Sequence, residues 1–152
     1  MKRINISDNG STMFEKMIGH NNHILKKWND LDEVLWKETS LDKNLLEQIR
    51  RTLAFENKCE YCMVKAGKPD YDVNDIKTSV VCGFAELFCK DHFSISEKHF
   101  EILKEFLSDK EISELCTFIA FIQASQKLGK IFNLSENDQK NAVIKLKDIE
   151  NV

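Results

Sequence analysis

The stretch Glu47-Gln48-Ile49-Arg50-Arg51-Thr52-Leu53-Ala54-Phe55-Glu56-Asn57-Lys58-Cys59-Glu60-Tyr61-Cys62 carries both the helical signal and the chemistry of this chain. Together with Leu45 and Leu46, the apolar residues Ile49 and Leu53 fall on one helical stripe, which predicts a helix capped by Ser40 and running to about Phe55. Asn57 is expected to start a second helix through Cys59 and Cys62, stopped by Gly67-Lys68-Pro69. Two thiols one turn apart at a helix start have a clear use. Unpaired amide N–H groups and the helix dipole stabilise a thiolate, drawing its pKa from about 8.5 toward neutrality. The second thiol can then resolve a sulfenic acid or mixed disulfide within the chain. Lys58 and Lys65 favour the thiolate, and Glu60 opposes it. Glu47 lies about 150° round the helical wheel from the apolar stripe. Its spacing to Arg50 and Arg51 reads, from periodicity alone, as a solvated ion-pair partner.

Helical spacing continues in both directions from this stretch. Ser11 or Thr12 can cap a helix to about Trp28, and Asp32 to Lys37 reads as a further turn or two. Asp72 or Asn74 opens a helix holding Ile76, Val80, Phe84, Leu87 and Phe88. Ser94 with Glu97 and Ser108 with Glu111 match the capping-box pattern, the second opening a long helix through Ile131. Ser135 opens a last helix to about Ile149. One proline, five glycines and no strict apolar–polar alternation leave little material for strands. The expected architecture is an all-α bundle, a single domain over residues 1–152 with its core at about 12–133. Phe118, Ile119, Phe121 and Ile122 nearly encircle their helix, which suggests burial on both sides and a homo-oligomer.

Composition narrows the function. The chain has 152 residues, 42% hydrophobic and 31% charged, a globular balance. A net charge of −3 with no basic stripe argues against nucleic acid or an anionic membrane as the main partner. Met1 to Asn9 has no apolar secretory region, and the apolar run at Cys116–Ala124 is too short to span a bilayer. A cytoplasmic location is therefore expected. Five cysteines, an odd number, fit reduced thiols there, where a close pair is more often catalytic or metal-binding than structural. The bland alternative is a pair of packed thiols. Zinc needs two further ligands; Cys82, Cys89, His92 and His99 are available, but no second CxxC or HxxxH accompanies the first, so no metal and no other cofactor is expected. Cys82, Cys89 and Cys116 read as core residues, and His20, His23, His92 and His99 as solvated ones.

Glu47, eleven intervening residues, then Cys59-x-x-Cys62 resembles the carboxymuconolactone decarboxylase/alkylhydroperoxidase D-like (AhpD-like) superfamily. The segments 47–54 and 57–62 are similar to that family's core, and Ser108 to Leu115 followed by an apolar helix is similar to its closing helices. The resemblance covers roughly Phe14 to Phe132. It implies an AhpD-like helical fold, assembled as trimers or hexamers, with peroxidase-type (peroxiredoxin) or disulfide-exchange activity. Cys62 would attack the peroxide, and Cys59 would resolve it into a redox-active Cys59–Cys62 disulfide passed to a thiol reductant. Glu47 would anchor a proton relay. The chain departs from the family at Ala66, where the relay usually has a histidine, and at Tyr61, where the alkylhydroperoxidase has another. Tyr61, Lys65, His92 and His99 are the candidate substitutes. Two other readings follow: a non-enzymatic helical oligomer that lost its relay, and, as a poorer fit, a lactone decarboxylase, a type that generally lacks the CxxC.

Overall fold

A computed structural model describes residues 1–138. Among the described residues seven complete α-helices follow one another: α1 (Met13–Ile18), α2 (Asn22–Lys37), α3 (Lys43–Glu56), α4 (Glu60–Ala66), α5 (Ile76–Lys90), α6 (Glu97–Lys104) and α7 (Asp109–Ile131), with a 3₁₀ turn at His92–Ser94 before α6. There is no strand among the described residues.

The helix order follows the expectation, but several starts do not. The first expected helix breaks in two at Gly19. A Cβ there would lie 2.7 Å from the Glu15 carbonyl and 2.8 Å from that of Asn9, so the chain turns where only hydrogen fits. Asn21 then accepts from the amides of His23 and Ile24 and starts α2, which absorbs the Asp32–Lys37 segment. The cap of α3 is Asp42, not Ser40. The Ser40 amide is engaged instead by the Glu114 carboxylate, 2.9 Å away on α7. The cap of α5 is Asp75, while Asp72 holds the preceding turn through Asn74. Ser94 pairs with Asp91 inside the 3₁₀ turn, and the capping box of α6 is made by Ser96 and His99. The Ser108–Glu111 box forms as expected. Residues 136–138 are helical, as expected from Ser135, whose amide and hydroxyl bond the Asp138 carboxylate; the rest of the expected last helix lies outside the described residues.

The core explains the broad apolar face of α7, whose opposite side, Ser113, Thr117, Ala120, Ala124 and Lys127, is exposed. Its Ile112, Leu115, Phe118, Ile119 and Ile122 are buried among the α3 stripe, Leu45, Leu46, Ile49 and Leu53, and Val81, Cys82 and Ala85 of α5. On its other side Trp28 lies 4.7 Å from Phe121, and Trp36 meets Phe118 edge-on at 5.1 Å, both from α2. Each such aliphatic or aromatic side chain contributes about 1.5–3 kcal/mol on burial. α2, α3 and α5 thus cover the broad apolar face to which Phe118, Ile119, Phe121 and Ile122 belong. A smaller cluster sits apart from this core. Met17 of α1, Cys59, Tyr61 and Leu134 are buried together, with Met13, Phe14, Cys62 and Phe132 packed against them.

Candidate redox site

The smaller cluster contains the two cysteines, and three local features put them there. The Asn57 amide closes α3 on the Leu53 carbonyl at 2.8 Å. Lys58 then takes a left-handed conformation, φ 49°, which reverses the chain so that the Cys59 amide reaches back to the Ala54 carbonyl at 3.2 Å. The second helix thus begins at Glu60 with Cys59 as its cap, two residues later than the spacing predicts. The Cys59 Sγ accepts from the Cys62 amide at 3.3 Å, so the sulfur fills the role a serine or aspartate oxygen plays at other helix starts.

Cys59 and Cys62 are joined by a disulfide, with their Cα atoms 5.1 Å apart. Their environments differ. Cys59 is 1% exposed and Cys62 is only half-buried. Lys58 and Glu60 both point to solvent, which dilutes their expected and opposing influence on the pair.

A charged group from α2 and α3 surrounds Lys65, one turn beyond Cys62. Arg50 donates to both Glu47 oxygens, at 2.7 and 2.8 Å through Nη2 and 3.0 Å through Nε, and Arg51 Nε adds a fourth contact at 3.1 Å. Burial pushes the Glu47 carboxyl up, but Arg50 and then Arg51 outweigh it and hold the group below the usual carboxylate range. The ion-pair partnership expected from spacing is therefore present with both arginines. Arg50 also stacks over the Trp36 ring, 5.6 Å from its centre. Trp36 in turn hydrogen-bonds Asp32, whose carboxyl burial pushes up against the opposing pull of Lys65 and Arg50. Lys65, one turn beyond Cys62, keeps an open side to water. Crowding of its ammonium by α2 and α3, with Arg50 adding repulsion, still draws it below the usual lysine range, against the pull of Asp32 and Glu47.

The other candidate relay groups point elsewhere. The Tyr61 hydroxyl bonds the Thr12 side chain and the Phe14 backbone, tying α4 to α1, and burial pushes its pKa up. His92 lies against Phe93 with ring centres 4.2 Å apart. The His99 Nδ1 accepts from the Ser96 amide at 3.0 Å, and its ring lines an apolar groove between α5 and α6 with Val80, Gly83 and Phe84. Ala66, at the position of the expected relay histidine, is buried. Burial lifts the thiol of Cys82 to about 11 and raises those of Cys89 and Cys116, as packed cysteines require. Among the described residues no three His, Cys, Asp or Glu side chains converge as metal ligands do, and no helix is long and apolar enough to cross a membrane.

Sequence reasoning missed Asp32 and Trp36, which it had assigned only to a short helical segment, and Gln126. The last left a signal: a glutamine at helical spacing from the buried Ile119 and Ile122. Buried amides are hydrogen-bonded, and this one donates to the Arg50 carbonyl at 3.1 Å and accepts from Asn57 at 2.8 Å.

No family model matches the chain, and no curated protein does. Solved structures do match. An uncharacterized peroxidase-related protein from Silicibacter sp. TM1040 superposes with a TM-score of 0.71 at 21% identity, over 78% of this chain and 73% of its own. A second, an alkylhydroperoxidase AhpD core and uncharacterized peroxidase-related protein from Ralstonia eutropha JMP134, gives 0.69 at 19% identity, over 82% and 77%. Likeness at these identities establishes the fold, and the chain accordingly has the all-helical AhpD-like fold that its Glu47-to-Cys62 stretch implies.

Proposed function

We propose that the chain is a CxxC-dependent antioxidant enzyme, a hydroperoxide reductase or thiol–disulfide oxidoreductase, with Cys62 as its reacting sulfur and Cys59 as its resolving one. The observation that supports this is the asymmetry of the pair. Cys59 is enclosed and capped by an amide N–H, whereas Cys62 keeps a solvent side with the Lys65 ammonium one turn on. Its solved relatives in fold are described as peroxidase-related.

In the reduced form the Cys62 thiolate attacks the terminal oxygen of a hydroperoxide. The O–O bond breaks, an alkoxide leaves and takes a proton from Lys65 or water, and Cys62 becomes a sulfenic acid. The Cys59 thiolate then attacks the Cys62 sulfur, forming the S–S bond and releasing hydroxide, which is protonated to water. A dithiol reductant attacks Cys62, the sulfur with a solvent side, and expels Cys59 as a thiolate. The amide N–H at the helix start makes Cys59 a good leaving group. Glu47, already engaged by two guanidinium groups, serves as a charge anchor for Arg50 and is a weak proton acceptor. The protein acts as a cytoplasmic homo-oligomer, a trimer or hexamer, with no cofactor beyond the Cys59–Cys62 pair.

The test is peroxide consumption coupled to a dithiol reductant. Cys62→Ser is expected to abolish turnover, and Cys59→Ser to accumulate a mixed disulfide at Cys62. Turnover surviving both substitutions sinks the proposal. Inert wild-type thiols favour instead the helical protein with a lost relay, a reading that Ala66 and the arginine-bound Glu47 support.

A further inference from the structure

The face of α7 turned toward the dithiol and the turn before it carries Gln126 and Gly129. A Cβ added to Gly129 would lie 3.0 Å from the Cys59 sulfur and 3.7 Å from that of Cys62. The first distance is well inside ordinary carbon–sulfur contact, so the missing side chain at 129 is the space that Cys59 occupies. One turn earlier Gln126, 2% exposed, bridges the Arg50 carbonyl and the Asn57 side chain. Asn57 is the last residue before the Lys58 reversal that sets Cys59 in place, and its other amide atom accepts from the Cys89 thiol at 3.4 Å. Two residues of one helix thus reach the same cysteine by independent routes, one by leaving room and the other by clamping the turn.

We propose that Gln126 and Gly129 of α7 are positioning residues that set the dithiol–disulfide balance of Cys59 and Cys62. The direction follows from the geometry. In the disulfide the Cys59 sulfur is tethered to Cys62 and cannot turn away from a methyl group at 129. In the dithiol each sulfur rotates about its own Cα–Cβ bond, and Cys59 can yield. A methyl group therefore penalises the oxidised form more and shifts the balance toward the dithiol. Removing the Gln126 amide acts in the same direction for another reason: it loosens the turn that holds the two sulfurs within bonding reach.

This rests on the redox reading above, and the measurement separates the two. The intact chain is equilibrated in oxidised and reduced dithiothreitol mixtures, and the Cys59–Cys62 state is read by alkylation and peptide mass spectrometry. Gly129→Ala is expected to lower the disulfide-forming constant about tenfold, a rise in potential of about 30 mV for two electrons. Gly83→Ala is the control, since a Cβ at that helical glycine of α5 meets nothing within 4 Å, and it is expected to leave the constant unchanged. Gln126→Met, nearly the same size, is expected to lower the constant at least threefold and stands in if Gly129→Ala fails to fold. A constant unchanged in the folded variants, or moved toward the disulfide, overturns the positioning role while the redox reading survives. A wild-type pair that forms no disulfide under any poise overturns both.

Discussion

Replacing Glu47 by glutamine separates a carboxylate that anchors charge from one that moves protons. Four short contacts tie it to Arg50 and Arg51, and the side chains are 18–26% exposed. Exposed ion pairs contribute about 0.2–1 kcal/mol, whereas breaking a fully buried pair costs about 3–5. This partly exposed, bidentate pair belongs between them, so Glu47→Gln is expected to cost about 1–2 kcal/mol. With a urea slope of roughly 2 kcal/mol per molar for a chain of this size, the unfolding midpoint falls by about 0.5–1 M. The pH dependence carries the sharper test. The Glu47 carboxyl is held below its usual value in the folded protein, so the unfolded chain binds the proton more readily. Its stabilisation is fully present above the unfolded value, 4.5, and is lost as pH falls through the folded one. Wild type and variant are therefore expected to differ by a constant amount at pH 6–8 and to converge in acid. At neutral pH the variant's Cys62 alkylation rate is expected to stay within about threefold of wild type, a small change on the scale of general-base catalysis, which contributes roughly 10²–10⁴. A hundredfold loss of thiol reactivity with unchanged stability refutes the anchor and restores Glu47 as the relay base.

Two further outcomes follow from the site's surroundings. In the reduced, folded protein at pH 8, iodoacetamide is expected to label Cys62 readily and Cys82 only on unfolding. A thiol at about 11 is roughly one part in a thousand thiolate there and is buried besides; prompt native-state labelling of Cys82 contradicts this. Tyr61→Phe is expected to cost about 1 kcal/mol by removing the hydroxyl bonded to Thr12 and Phe14, and to speed amide exchange in α1 while peroxide oxidation of the pair proceeds as before. A tenfold slower oxidation in that variant shows that Tyr61 moves protons after all.

How far the sequence could be read depends on the range of each interaction. The apolar stripes of α3 and α7, the Ser108–Glu111 box and the stop of α4 at Gly67 are local patterns, and they form as read. Helix starts are local too, yet several were misplaced, because this chain offers rival caps within a few residues. Ser40 and Asp42, or Asp72 and Asp75, are equally competent by type. The choice goes to a long-range contact, as when Glu114 takes the Ser40 amide and leaves Asp42 to cap. The dithiol's neighbours were illegible for the same reason. Nothing in the spacing around Tyr61 shows that its hydroxyl reaches Thr12, or that Asp32 and Trp36 come to lie beside Arg50 and Lys65.

The broad apolar face of α7 shows what periodicity can and cannot decide. Apolar residues over a wide arc require burial over that arc, and Phe118, at 0% exposed, meets that requirement. The pattern does not name what supplies the cover, and here α2, α3 and α5 of the same chain do. On its buried side the same helix carries Gln126, bonded to Asn57 in the turn before Cys59, and Gly129, against the Cys59 sulfur. An amide in a buried face loses solvation unless it is fully bonded, and a glycine within a helix costs about 1 kcal/mol against alanine. Packing alone favours neither residue. Their joint position behind Cys59 is the placement that the positioning role proposed for α7 requires.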